Sequence, residues 1–119
     1  LSLNIEENII VNANEALIMR MIDNLLSNAL KYAQTEVKVC LAKRNSIILE
    51  VADDGIGISD AEKKHIWDRF YKVDKSRTTT EDNSSGLGLS ITKKIVELHN
   101  GKIAVLDNKP KGTRFVVNL

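Results

Sequence analysis

A lone cysteine, Cys40, is all the thiol this chain of 119 residues contains. No internal disulfide can form, so a reducing compartment is expected, with Cys40 read as a buried, inert thiol in its apolar run. Charge of one sign is lacking as well. Seventeen basic residues against sixteen acidic leave a net +1. That balance argues against an electrostatic footprint for nucleic acid and against direct contact with an anionic membrane. No apolar run approaches the ~18 residues that span a bilayer, and no signal peptide is recognisable. The first residue is Leu1 rather than Met, which reads as a piece of a longer protein whose membrane anchors could lie elsewhere. Two phosphate-binding signatures are missing: there is no Walker loop, and the Gly86-x-Gly88 pair has Ile91 where a dinucleotide fingerprint needs its third glycine.

What is present is ordinary globular material, 43% apolar and 28% charged, and one domain over residues 1–119 is expected. Leu1 to Ile5 and Ile9 to Val11 read as short strands. Asn14 is the expected N-cap of a helix running to about Ala33. Its apolar arc comprises Leu17, Ile18, Met21, Ile22, Leu25, Leu26, Ala29 and Leu30. Thr35 to Lys43 and Ile47 to Ala52 predict a hairpin turning at Asn45-Ser46. A short helix opens at Ser59, and Ile66, Trp67, Phe70 and Tyr71 form an apolar cluster. Residues 72–85 lack periodicity, as a functional lid does. A second helix is expected from Leu89 to about His99, with Ile91, Ile95, Val96 and Leu98 facing inward and Asn100-Gly101 as its left-handed cap. Two last strands, Lys102 to Leu106 and Thr113 to Leu119, complete one mixed sheet covered by helices on one face, a two-layer α+β sandwich.

Three polar clusters interrupt this apolar plan. Asn24, Asn28 and Lys31 stack at i, i+4 and i+7 along the edge of the first helix. The stripe can be two boundary amides satisfied by water, or a set of amide oxygens and a cation suited to a metal-bound phosphate. Asp53-x-Gly55-x-Gly57 directly follows a buried strand. It is either a tight turn with a solvated acid, or a pocket whose carboxylate accepts a hydrogen bond from an exocyclic amine, which adenine offers at the place where guanine presents a carbonyl. Gly86-Leu87-Gly88-Leu89 meets a helix start, where free backbone amides suit an anion; alone it is a common flexible turn.

The order of these clusters carries more than each alone. Asn-x-x-x-Asn-x-x-Lys-Tyr, Asp-x-Gly-x-Gly, Phe70-Tyr71, a lid, Gly-Leu-Gly-Leu and Gly112-Thr113-x-Phe115 follow one another along the whole chain. This resembles the catalytic, ATP-binding domain of bacterial sensor histidine kinases, within the superfamily of gyrase, heat-shock chaperone and mismatch-repair ATPases. The resemblance implies the Bergerat ATP-binding fold, a mostly antiparallel mixed sheet with helices on one face, and ATP and Mg²⁺ as ligands. It implies that Asn28 holds the metal and that Asn24 and Lys31 reach the phosphates with Tyr32 and Tyr71 beside them. Asp53 and Thr113 would take adenine in a pocket shaped by Gly55, Gly57 and Ile58. Gly86, Leu87, Gly88 and Leu89 would wrap the phosphates, and Phe70 would anchor the lid. Lys72 stands where the family commonly has Arg, which leaves a point charge in place of a planar clamp on the γ-phosphate; Lys75 and Arg77 are alternative lid cations.

Within that superfamily, hydrolysing members resemble one another in a Glu base where this chain has Asn24, an amide that cannot take a proton. Neither His65 nor His99 lies in the family's phosphoacceptor pattern; His65 reads as a surface residue and His99 as a helix-end residue favoured by the dipole. The implied partners are therefore a separate dimerisation domain of the parent chain carrying the acceptor histidine, and through it a response regulator. The chain is expected to be a monomer, cytoplasmic, and part of a membrane-anchored sensor. A hydrolase, a serine kinase or a non-catalytic nucleotide sensor of the same superfamily is the alternative.

Overall fold

A computed structural model describes residues 2–5, 14–43, 46–69 and 88–119. Along the chain these form β1 (Ser2–Ile5), α1 (Glu15–Tyr32), β2 (Val37–Lys43), β3 (Ile47–Asp53), α2 (Asp60–Lys63), α3 (Gly88–Leu98), β4 (Lys102–Asp107) and β5 (Thr113–Asn118). The expected segments Ile9 to Val11, Asn45, Phe70, Tyr71 and the lid lie outside the described residues.

α1 starts where the sequence places it. Asn14 is extended, and its Oδ1 accepts from the Leu17 N–H at 3.2 Å, with Glu15 in the first turn and Lys31 in the last to complement the dipole. The row Met21, Leu25, Ala29 is fully buried. Beside it, Ile18, Ile22 and Leu26 are packed partway into the core, but Leu30, next in that row, is 60% exposed. Periodicity identifies the inward face; by the last turn of this flanking row the covering layer has ended.

The sheet runs β1-β2-β3-β5-β4. β1 pairs parallel with β2, and the other three pairings are antiparallel. β2–β3 and β4–β5 are hairpins, and β5 inserts between β3 and β4, aligning Val51 with Phe115 and Asp53 with Thr113. Alternation sends Val37, Val39, Leu49, Val51, Phe115 and Val117 toward the helices. The opposite face carries the Glu50–Arg114 ion pair (3.1 Å) and Cys40, which is half-buried rather than buried because the even positions of β2 point away from the helices.

α3 lies antiparallel to α1. At one end the Asn14 N–H donates to His99 Nε2 (3.0 Å); at the other Asn24 Nδ2 donates to the Gly88 carbonyl (3.3 Å). His99 therefore acts as a connector. Its Nδ1 faces the Ile95 carbonyl at 2.8 Å, so in this arrangement Nδ1 donates and Nε2 accepts, a role beyond that of the expected helix-end residue. α3 buries Thr92, Ile95 and Val96. Leu98, expected inward, is 63% exposed at the helix end, while Thr92 is 0% exposed because its hydroxyl is satisfied by the Gly88 carbonyl (2.8 Å). The helix closes in a Schellman motif: Gly101 N–H to Val96 O and Asn100 N–H to Glu97 O. The left-handed residue is Asn100 (φ 59°); Gly101 is needed instead because a Cβ there would lie 2.5 Å from the Asn118 carbonyl.

Candidate nucleotide site at the ends of β3 and β5

The site residues gather where β3 and α1 end and β5 begins. Asp53 closes β3 opposite Thr113, which opens β5, and both are buried, Asp53 to 3% exposure. Asp53 Oδ1 accepts the Gly55 N–H at 2.8 Å. Burial pushes its carboxyl above the usual 3.8, against the lowering effect of hydrogen bonds from the Gly55 and Thr113 backbones. A carboxylate so placed is a strong acceptor for any donor that enters.

The glycines around it are required by close approach. A Cβ on Gly55 would stand 2.1 Å from the Tyr32 carbonyl, and one on Gly112 would stand 1.9 Å from the Asp53 carbonyl. Gly57 (φ 80°) and Gly112 (φ 111°) lie in the region glycine favours, and Gly57 packs beside the Gly112 carbonyl. Asn108 ties this corner together: its Nδ2 donates to the Asp53 carbonyl (2.8 Å) and its N–H to the Gly112 carbonyl (3.0 Å). Ile58 packs partway against the core.

The structure thus brings Tyr32, Asp53, Gly55, Gly57 and Thr113 together, and joins Asn24 to Gly88. Asn24 and Asn28 are half-buried on α1 and Lys31 is exposed, its Nζ 5.2 Å from the centroid of the Tyr32 ring. Leu89 is half-buried in the first turn of α3. Tyr71, Lys72, Gly86 and Leu87, with Phe70, Lys75 and Arg77, lie outside the described residues. His65 is exposed and faces Asp68 at 3.3 Å.

Among the described residues no group of three His, Cys, Asp or Glu could hold a metal ion. The hard amide oxygen of a half-buried Asn28 fits Mg²⁺, which keeps several waters and takes phosphate oxygens rather than a full protein shell.

Asp54 and Asn108 do not stand out in the sequence. Asp54 accepts from the N–H groups of Gln34 (2.8 Å), Thr35 (2.9 Å) and Glu36 (3.0 Å) and from the Thr35 hydroxyl. The available signal was the doubled acid: if Asp53 faces inward, its neighbour must turn the other way.

A family model described as histidine kinase-, DNA gyrase B- and HSP90-like ATPase matches residues 13–119. The Bacillus subtilis sensor histidine kinase YclK is 35% identical over 121 residues, spanning 100% of this chain and 26% of its own length. The Streptococcus pneumoniae sensor protein CiaH is 42% identical over 109 residues, spanning 89% and 24% respectively. The chain spans about a quarter of the length of these curated relatives. Among solved structures, a mycobacterial sensor histidine kinase, MprB, superposes with a TM-score of 0.85 at 27% identity, over 99% of this chain and 80% of that one. Among the described residues no helix is long and apolar enough to cross a membrane.

Proposed function

The chain belongs to the histidine kinase-, DNA gyrase B- and HSP90-like ATPase family, and from that premise we propose that it is the catalytic, ATP-binding domain of a sensor histidine kinase. It would bind Mg-ATP and present the γ-phosphoryl group to a histidine on a separate dimerisation domain of its parent, which would pass it to a response regulator. The parent would be a membrane-anchored sensor with this single domain on the cytoplasmic side.

The observation that carries this reading is the buried Asp53–Thr113 pair at the exit of α1, whose polar stripe leads from Tyr32 back to Asn24. Asp53 would accept the exocyclic amine of adenine, Thr113 would complete the base contact, and Gly55, Gly57 and Ile58 would border the ring. Asn24 and Lys31 would orient the phosphates, with Tyr32 and Tyr71 beside them and Lys72 as a lid cation. Backbone amides of Gly86, Leu87, Gly88 and Leu89 would receive phosphate oxygens. Asn28 would hold Mg²⁺, which when bound neutralises charge on the transferring group. Catalysis on this chain would be positioning. Asn24 cannot accept a proton, and its amide nitrogen already donates to Gly88, so activation of the nucleophile would fall to the acceptor domain. The two histidines, one beside Asp68 and one tied to Asn14 and Ile95, do not join the stripe.

Calorimetric titration of the chain with ATP and GTP, with and without Mg²⁺, tests the pocket. ATP binding that GTP cannot match, with hydrolysis that stays negligible and phosphohistidine that forms only after the helical domain is added, is expected. Equal binding of both nucleotides, or brisk hydrolysis by the chain alone, would overturn the reading.

A further inference from the structure

Asp53 and Asp54 leave the end of β3 toward opposite sides. Asp53 turns inward and accepts the Gly55 N–H, whereas Asp54 turns onto residues 34–36, the connection between α1 and β2. Three successive backbone N–H groups, of Gln34, Thr35 and Glu36, converge on Asp54 Oδ1, and the Thr35 hydroxyl donates to Oδ2. In return the Asp54 N–H donates to the Glu36 carbonyl (3.3 Å). Successive amides of this kind form an anion-binding concavity, here filled by the chain's own carboxylate. Its hydrogen bonds, led by the Thr35 hydroxyl, hold the carboxyl well below the usual range, so it stays charged.

The latch sits between the two halves of the site. Tyr32, the last residue of α1, lies two residues before Gln34, and its carbonyl touches the Gly55 backbone. The base end has its own fastening, through the β3–β5 pairing and Asn108. The exit of α1 has the Asp54 carboxylate. We infer that Asp54 is a positioning residue, which sets the distance between the base-binding end of the site (Asp53, Thr113) and the phosphate-binding stripe of α1. This rests on the nucleotide reading above and adds to it a residue that touches no nucleotide.

The test compares adenosine, which needs the base end alone, with Mg-ATP, which needs both. In Asp54→Ala, adenosine affinity stays within about twofold while ATP affinity falls about tenfold, the scale of losing hydrogen bonds to a charged group. Asp54→Asn restores the ratio, because its amide oxygen keeps the three N–H groups and its NH₂ can donate to the Thr35 hydroxyl. Thr35→Val, which leaves the backbone amides in place, provides the readout if Asp54→Ala does not fold, and it lowers the ratio about twofold to threefold. An ATP-to-adenosine ratio unchanged in these variants, or equal losses for both ligands following a drop in melting temperature, overturns the inference. Wild-type chain that binds neither ligand takes the nucleotide reading down with it; wild-type selectivity that survives in the variants sinks only the role of Asp54.

Discussion

Replacing Gly112 by alanine should be the most damaging single-methyl change at the site. The added Cβ would stand 1.9 Å from the Asp53 carbonyl oxygen, 2.8 Å from its carbon and 2.9 Å from Asp54 Cα. Ordinary contact begins near 3.4 Å, so one backbone must retreat from the other by well over an ångström, and neither is a flexible side-chain tip. The residue also has φ 111°, which costs a side chain roughly 1–3 kcal/mol. Retreat breaks the Asn108–Asp53 hydrogen bond, worth about another 1 kcal/mol, and disturbs the Asp53–Thr113 pairing. The expected loss is about 3 kcal/mol, or roughly 10–20 °C in melting temperature for a domain of this size, with weakened ATP binding. Gly88→Ala is the control: it lies at a helix start, and the nearest described atom is Asn24 Cγ at 4.0 Å. It should range from neutral to about 1 kcal/mol stabilising. Urea unfolding followed by circular dichroism, with fluorescence of the sole tryptophan, Trp67, as a second probe, measures both; Trp67 meets Phe115 edge-on at 5.9 Å. A Gly112→Ala protein within 1 kcal/mol of wild type, or a Gly88→Ala protein equally damaged, would refute the close-approach argument.

Leu25→Ala removes a fully buried side chain from the middle of α1 and should cost about 3–5 kcal/mol in urea unfolding, with the slope unchanged. Asp53→Asn should weaken ATP at least about tenfold by calorimetry, yet leave stability at neutral pH equal or higher, since burial raises the Asp53 pKa and the ionised form therefore opposes folding. The two acids give opposite pH dependences. The Asp53 contribution is present below 3.8 and lost as pH rises through its raised folded value; that of Asp54 is present above 3.8 and lost as pH falls toward its lowered one. Urea midpoints from pH 7 down to about 2 should therefore fall less in Asp54→Asn than in wild type and more in Asp53→Asn. Asn24→Asp would turn the donor facing the Gly88 carbonyl into an acceptor, costing about 1 kcal/mol and speeding amide exchange in the first turn of α3.

Local chemistry was legible and distant partners were not. Asn14 announced its cap, and the spacing of Met21, Leu25 and Ala29 announced the buried row, because both depend on neighbours within a turn of helix. The β2–β3 hairpin could be read for the same reason. Inserting β5 between β3 and β4 is a pairing across more than 50 residues that no local pattern encodes, although it is what sets Thr113 beside Asp53. Leu30 and Leu98 have the right phase for the core but stand at helix ends, where phase says nothing about the extent of the covering layer. Thr92 and Asp54 were missed because their polarity is cancelled by particular carbonyls and amides. His99 stands at the helix end as its sequence position suggests, but its bond to Asn14, 85 residues away, had no local signal. The glycines were legible as glycines, but which demanded a positive φ and which demanded only room was not: Asn100, not Gly101, takes the left-handed turn.

These contacts divide the site into a stiff end and a compliant one. At the base end, backbone meets backbone: Gly112 against Asp53 and Gly55 against Tyr32, with room for no Cβ. Such backbone contacts leave little room to adjust, so on the proposed reading a base entering there would spend little ordering entropy. At the other end, a neutral side-chain hydrogen bond links α1 to the start of α3, Asn24 to Gly88, at 3.3 Å. A bond of that kind contributes about 1 kcal/mol net, less than a single charge-assisted contact to a phosphate can return. The Gly88 carbonyl keeps the Thr92 hydroxyl as a second donor, so releasing Asn24 strands no buried acceptor. An amide at position 24 can therefore leave Gly88 for a ligand at small cost, whereas a carboxylate could neither hold that carbonyl nor approach a phosphate without repulsion. The same substitution that removes a proton acceptor from the stripe supplies a reversible fastening for the helix that would meet the phosphates.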